Sequence, residues 1–129
     1  MIEILKENPK AAKVIHDYYL NLMIESSKDL PSYFREFVEE QGLEMSNIAS
    51  MVEAAPRNLF DVFDEHGIII EIGFMPELTT NGQFTYRINE ELGGITSESR
   101  KEVDRYAVEA AIEILEKQLN SLEETNEDS

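Results

Sequence analysis

The side chains best suited to chemistry in this sequence lie close together between residues 56 and 66. Asp61, Asp64 and Glu65 precede His66, and here several carboxylates adjoin a histidine. Asp61 and Glu65 are four residues apart, so on a helix they share a face and are placed to hold a hard cation, with His66 nearby. A calcium site needs six or more oxygen ligands, and the sequence offers no further ones here. We therefore predict a solvated acidic face and no metal.

The sequence contains none of the common catalytic motifs. It contains no cysteine, which excludes a thiol nucleophile, a disulfide framework and thiolate metal sites. It also lacks a glycine-rich phosphate loop, a nucleophile elbow and paired-histidine zinc spacing. His16, beside Asp17, is predicted to be a partly buried structural residue. We predict that the protein is not an enzyme and binds no cofactor. An active site would have to be formed by residues that are distant in the sequence and that the fold brings together.

The charge of the chain limits the classes of partner. Its 129 residues include 27 Asp and Glu against 11 Lys and Arg, a formal net charge of -16. Such a field repels nucleic-acid phosphates and anionic membranes and attracts basic proteins, although acidity also serves plain solubility. No apolar run approaches the length of a membrane span, and the acidic N-terminal segment has no signal-like apolar region. We expect a soluble, cytoplasmic protein.

Two helices are predicted in the first 42 residues. The first starts at Pro9, with Asn8 as its N-cap, and fades between residues 26 and 29. The second opens at Pro31 and ends at Gly42, which supplies a left-handed C-terminal residue. Its apolar positions are Tyr33, Phe34, Phe37 and Val38.

Two further short helices are predicted before residue 67. Ser46 caps the first of them, and Pro56 opens the other, which Gly67 ends. Three short helices thus occupy residues 31 to 66. The inward-facing positions of the last two are predicted to be Ile48, Ala49, Val52, Leu59, Phe60, Val62 and Phe63.

Alternating apolar and polar residues after residue 67 predict a β-hairpin. A two-residue loop at Asn81–Gly82 would set each apolar residue opposite a polar one. A three-residue loop over residues 80 to 82 instead pairs Phe74 with Ile88 on one face, and we predict this longer loop. The apolar series of the two strands are Ile68, Ile70, Ile72 and Phe74, then Phe84, Tyr86 and Ile88.

A long helix is predicted over residues 98–122, after a break at Gly93–Gly94 and a cap at Thr96 or Ser97. Nearly every residue between 106 and 115 outside its polar stripe is apolar. An apolar face this wide usually packs against two partners, of which one is the core of its own domain. We predict that the other is the same helix of a second copy. Packing on the first helix is the alternative. The acidic residues 123–129 are predicted to be a disordered tail. The polar stripe is Glu109, Glu113, Glu116 and Asn120.

These elements predict one α+β domain over residues 1–122, mostly helical, with three short helices and a hairpin between an N-terminal and a long C-terminal helix. The element order within residues 31–91 resembles a winged helix-turn-helix domain. The run NIASMVEAAPRNLFDVFDEHGIIIEI, residues 47–72, looks like the turn and recognition helix of that family. The matching residues are Ile48, Ala49 and Val52 on the support helix, Leu59, Phe60 and Phe63 on the recognition helix, and Glu65 to Ile68 at the exit into the wing.

The resemblance implies that the exposed face of helix 56–66 would lie against DNA. That face has one cation and three carboxylates. Beside DNA phosphates, three carboxylates oppose DNA binding more than a single arginine favours it. The hairpin tip, residues 76–82, carries no basic residue. We therefore predict a regulatory or adaptor protein that binds a basic protein surface and neither nucleic acid nor membrane. Its predicted contact residues are Arg57, Asn58, Asp61, Asp64, Glu65, Met75, Glu77 and Leu78.

Two other binding functions stay open at this point. The small, acidic, cysteine-free chain resembles nucleic-acid mimics encoded by phages and mobile elements, which present carboxylates in place of phosphates and inhibit a DNA-binding enzyme. A winged-helix DNA-binding regulator would use Arg57, Asn58 and Arg87 as contacts, because these residue types read bases or hold phosphates.

Overall fold

The computed structural model describes residues 1–26, 28–29, 31–33, 36, 44–77 and 82–127 of the chain. It confirms the predicted α+β class, because helices pack against a three-stranded antiparallel sheet of order β1-β2-β3. Along the chain the elements are α1 (Ile2–Glu7), α2 (Pro9–Ser26), α3 (Met45–Ala54), a 3₁₀ turn (Pro56–Leu59), α4 (Phe60–Glu65), β1 (Ile70–Met75), β2 (Gln83–Ile88), β3 (Glu91–Ser97) and α5 (Arg100–Glu127).

The first two helices meet at Asn8, where α1 was not predicted. The Asn8 carbonyl accepts the first hydrogen bond of α2, from the Ala12 N–H at 2.9 Å, so Asn8 does occupy the N-cap position. Its side chain points the other way, because Nδ2 donates to the Ile4 carbonyl at 2.8 Å and completes the end of α1. The amide groups of the first turn of α2 are therefore left for another acceptor.

The short helices follow the predicted apolar pattern but not all of the predicted caps. Ser46 lies inside α3, which is preceded by Glu44, so the predicted Ser46 cap is wrong. Pro56 opens a 3₁₀ turn that continues into α4, and Gly67 ends α4 with a φ of 77°. Most of the helix predicted from Pro31 to Gly42 lies outside the described residues. The predicted inward residues of α3, the 3₁₀ turn and α4 are buried, apart from a half-buried Phe60.

The hairpin of β1 and β2 has the predicted facing of apolar residues and a different loop. Phe74 pairs with Phe84, and Ile70 pairs with Ile88. The predicted pairing of Phe74 with Ile88 and the three-residue loop are therefore wrong, and the connection spans residues 76–82. A register shift by an even number of residues keeps every side chain on its face, so the facing was predictable and the loop length was not.

Strand β3 occupies the segment that was predicted to break the chain. A two-residue turn leads into it from β2, and its residues Asn89 and Glu90 have φ values of 51° and 74°, the sign pattern of a type I′ turn. The register of β2 with β3 shifts between Thr85 and Arg87, opposite Gly93–Gly94. A Cβ at Gly93 would come within 2.0 Å of the Tyr86 ring, so this glycine permits the ring to lie against the strand.

The long helix α5 starts and ends later than predicted. Ser99 is the N-cap, since its Oγ accepts the Glu102 N–H at 3.2 Å, whereas Thr96 and Ser97 belong to β3. The helix continues to Glu127, so residues 123–127 of the predicted disordered tail are helical. Within the described ranges, no helix is long and apolar enough to cross a membrane.

The wide apolar face of α5 forms the centre of the core. It packs against the sheet, the 3₁₀ turn and α2, so the chain itself covers the face that was predicted to need a second copy. The alternative that the sequence left open, packing on the first long helix, is observed. A homodimer through residues 98–122 stays a prediction without this support. The fully buried residues of this face are Val103, Ala107, Val108, Ala111, Ile112 and Leu115.

Candidate functional site

The acidic face of α4 is exposed. Asp61, Asp64 and Glu65 point to solvent, while Val62 and Phe63, on the opposite side of the same two turns, are buried in the core. None of the three carboxylates makes an ion pair within the described part of the chain. We call these three residues the acidic face. Their exposure agrees with the apolar pattern that predicted it, and their charge is available to a partner.

The single cation of this helix is engaged within the chain. Nη2 of Arg57 donates to Oδ1 of Asp104 on α5 at 3.3 Å, and the guanidinium lies 5.5 Å from the centre of the Phe60 ring. The Asp104 side chain is 9% exposed and that of Arg57 is 44% exposed. Arg57 therefore joins the 3₁₀ turn to α5, and its charge is offset before any partner arrives. Asn58 is exposed, and its carbonyl accepts a long hydrogen bond of 3.4 Å from the Tyr18 hydroxyl.

The predicted hairpin contacts lie apart from the acidic face. The chain passes from Glu65 into β1, and Met75 lies at the far end of that strand, about 17 Å from Ile70 at about 3.3 Å per residue. Met75 is half-buried and Glu77 is exposed. Leu78 lies outside the described residues. The structure thus brings together the predicted residues from Arg57 to Glu65 and does not place the hairpin end beside them.

The open face of the sheet carries a depression of about 390 Å³ next to the hairpin end. Gly73 is one of its lining residues and leaves β1 without a side chain there, and Glu71 and Arg87 are directly paired across the strands. Arg87, a contact residue in the DNA-binding hypothesis, is exposed on this face. Met75 and Glu77 also line the depression, which gives the hairpin end a concave surface of mixed charge.

The structure also places the two histidines that were considered for a metal or for catalysis. Among the described residues, no group of three or more histidines and carboxylates is arranged to hold a metal ion, and this includes Asp61, Asp64, Glu65 and His66. His16 is half-buried, with Nδ1 at 3.3 Å from Oδ1 of Asp17. The half-buried position is the one predicted for it, and its structural role stays a prediction.

Two buried carboxylates were not singled out from the sequence. One is Asp104, the partner of Arg57. The other is Glu116, predicted in the polar stripe of the long helix, which is only 8% exposed. Oε2 of Glu116 accepts the Ala11 N–H at 2.7 Å, in the first turn of α2. It provides the acceptor that the Asn8 side chain does not, and its negative charge lies at the positive end of the helix dipole.

A third carboxylate organises the start of α5. The Tyr106 hydroxyl donates to Oε1 of Glu102 at 2.7 Å, and Ser97 Oγ donates to Oε2 at 3.2 Å. These hydrogen bonds, that of Tyr106 first, hold the pKa of the Glu102 carboxyl below its usual value, and the same carboxylate raises the pKa of Tyr106. The spacing of Ser99 and Glu102 is that of a capping box, a signal that would have located the helix start.

Comparison of the chain with known protein families, curated proteins and solved structures finds no match. The winged-helix resemblance therefore stays a prediction. In the structure the helix pair of that resemblance is α3 and the turn with α4, and the sheet that follows has a third strand beyond the hairpin.

Proposed function

We propose that this protein acts by binding, without catalysis, and that the acidic face of α4 docks on a basic surface of another protein. The observation that carries this proposal is the contrast within the helix 56–66. Three carboxylates are exposed and unpaired in the described part of the chain, while Arg57 is bound to Asp104. The surface offered to a partner is thus more negative than the sequence of the helix suggests.

The geometry of the acidic face suits a cationic partner. Asp61 and Glu65 lie one turn apart and Asp64 follows Asp61 by three residues, so the three carboxylates project from one side of α4. Lysine or arginine side chains of a partner would pair with carboxylates that give up no ion pair with the described residues. The net charge of -16 would accelerate the encounter with a basic protein, an effect that salt screens over about 8 Å at physiological ionic strength.

The hairpin end extends this proposal as a second contact region. Met75 offers apolar surface and Glu77 a further carboxylate, and both border the depression on the open face of the sheet. Because the length of β1 separates them from α4, a partner must be a folded surface or a long segment to reach both regions. We therefore assign the main electrostatic contact to α4 and an accessory contact to the hairpin end.

The experiment that tests the proposal reverses the charge of the acidic face. The full chain is immobilised, and capture of proteins from a lysate is compared between the wild type and the triple variant Asp61→Lys, Asp64→Lys, Glu65→Lys, with mass spectrometry to identify what is bound. A control triple variant reverses Glu3, Glu90 and Glu98, which are exposed and lie elsewhere. Both variants change the net charge by the same amount.

We expect the acidic-face variant to lose a basic partner that the wild type and the control variant retain. If both triple variants lose it equally, only the overall charge matters. If neither loses it, the acidic face is not the docking surface. Circular dichroism of both variants confirms that the fold is unchanged.

The same exposed carboxylates also suit mimicry of nucleic acid, the second candidate function. In that case the partner is a DNA-binding enzyme, and the protein should compete with duplex DNA for it.

The third candidate function is direct DNA binding. The contact of Arg57 with Asp104 argues against it, because a base contact would have to take the guanidinium from its internal carboxylate. A gel-shift titration with genomic fragments at low salt tests this third function, for which Arg57 and Arg87 are the relevant variants.

A further inference from the structure

We propose that a second copy of this chain binds at the exposed C-terminal half of α5, beside the start of α2. The centre of this surface is Leu122, whose side chain is 61% exposed. Two hollows flank it, of about 550 and 400 Å³. We call this surface the Leu122 patch. It consists of Lys10, Lys13, Val14 and Asp17 of α2, of Ile114, Lys117, Gln118, Leu119, Ser121, Leu122 and Glu123 of α5, and of His66, which follows the acidic face of α4.

The patch is the part of α5 that its own chain does not cover. As far as Leu115 the apolar face of the helix is fully buried against the sheet and α2. Beyond that point Leu119 is half-buried and Leu122 is mostly exposed. A large aliphatic side chain between two apolar hollows is the arrangement expected of an interface, because a leucine from a partner fills a hollow while Leu122 fills one of the partner's.

Charge identifies the partner as another copy. The patch carries three lysines and two carboxylates, Asp17 and Glu123, although the chain as a whole has a net charge of -16. Lys10 is bound to Asn120 and Glu123, whereas Lys13 and Lys117 make no ion pair with any described residue. Two copies repel each other over most of their surfaces, and here each offers cations that the carboxylates of the other can reach.

The patch is also self-complementary, which a twofold dimer requires. Each copy contributes a projecting leucine and a hollow. It also contributes Lys13 and Lys117, which make no ion pair with a described residue, and the carboxylates of Asp17 and Glu123. One contact made in each direction therefore satisfies both copies. The surface is small, because residues 114–123 of α5 span only about 14 Å at about 1.5 Å per residue. We therefore expect a weak and reversible dimer, below the size of a standard stable interface.

Sedimentation equilibrium of the full chain tests this proposal over protein concentrations from about 10 µM to about 1 mM, where weak dimers form. Leu122→Glu is the test variant. Leu92→Glu is the matched control, because Leu92 is a similarly exposed leucine, 59% exposed, on β3. We expect Leu122→Glu to weaken self-association by about tenfold or more, as for a central interface leucine, and Leu92→Glu to leave it unchanged.

Salt provides an independent measurement. Because the copies carry like net charges, raising the salt from about 50 to about 300 mM should strengthen the association of the wild type by screening that repulsion. A wild type that stays monomeric at every concentration would overturn the proposal, and so would equal losses in the two leucine variants or an association that disappears at high salt. The acidic-face variant of α4 should dimerise like the control triple variant of the same net charge, so the proposed function and this interface can fail separately.

Discussion

The carboxylates of the acidic face on α4 and two carboxylates on α5 behave in opposite ways, although both helices carry several acidic residues in the sequence. Asp61, Asp64 and Glu65 on α4 are exposed and have no partner among the described residues. Asp104 and Glu116 on α5 are buried, and each binds a group from a distant part of the chain. One set gives the protein a charged surface, and the other joins its helices.

The difference follows from what lies opposite each helix. The polar side of α4 faces solvent, so its carboxylates keep their hydration at no cost to the fold. The sides of α5 face α2 and the 3₁₀ turn, where a carboxylate persists only if a donor replaces the lost water. The Ala11 N–H and the Arg57 guanidinium are those donors. Removing Asp104 or Glu116 should therefore destabilise the fold, and removing a carboxylate of the acidic face should leave its stability unchanged.

The largest effect is expected at Glu116. Glu116→Ala removes the acceptor of the Ala11 N–H in the first turn of α2 and should cost about 2 kcal/mol of unfolding free energy. Urea unfolding followed by circular dichroism measures this loss. Glu113→Ala, an exposed position one turn earlier on the same helix, is the control and should change stability by less than about 0.5 kcal/mol. Equal effects at the two positions would contradict a capping role for Glu116.

Tyr19 is a buried polar group with no partner among the described residues. Its hydroxyl makes no hydrogen bond with that part of the chain, and burial, with a smaller contribution from Tyr18, raises its pKa from 10.0 to about 12. The stability that goes with this shift is complete below pH 10 and is lost as the pH rises to 12, because the unfolded chain ionises first. At pH 11 we expect the wild type to have lost about 1.4 kcal/mol relative to Tyr19→Phe.

At pH 7 the Tyr19→Phe variant should be as stable as the wild type, or more stable by up to about 1 kcal/mol, since it removes an unsatisfied buried hydroxyl. Urea unfolding at both pH values measures the two differences. A variant that is clearly less stable at pH 7 would show that the hydroxyl has a partner.

A smaller difference is expected between two asparagine substitutions. Asp104→Asn removes the charge that binds Arg57 and should cost about 1 kcal/mol, since the arginine is only half-buried. Asp64→Asn should be neutral or slightly stabilising, because a carboxylate near the C-terminal end of a helix opposes the helix dipole. Thermal unfolding of both variants decides the matter. A loss at Asp64 as large as at Asp104 would mean that the acidic face also supports the fold.

Periodicity was sufficient to predict the core and the exposed side of α4. Ile48, Val52 and Phe63 are fully buried where the spacing of apolar residues placed them. The partner of Arg57 could not be predicted from the sequence, because Asp104 is 47 residues away and no local pattern links the two positions. The sequence places Glu116 in the polar stripe of the long helix, which was expected to face solvent. Only the position of α2 in the structure shows that this stripe is partly buried.

The sheet shows why local signals can mislead. Alternation fixed the facing of the hairpin but not its loop, since pairings that differ by an even number of residues bury the same side chains. Gly93–Gly94 was interpreted as a break because glycine weakens a strand, yet here it accommodates a bulge and the ring of Tyr86. Close approach across strands is a tertiary feature that sequence spacing does not reveal.

The contact of Tyr86 with Gly93 also suggests how distant homologues of this chain can be recognised. An aromatic ring packed against the backbone of a glycine constrains both positions, because any side chain at Gly93 would collide with the ring. Homologous sequences too diverged to align overall should still show an aromatic residue followed seven positions later by glycine. The turn-forming pair Asn89–Glu90 lies between them, so the stretch from 86 to 94 is the most discriminating probe that the chain offers.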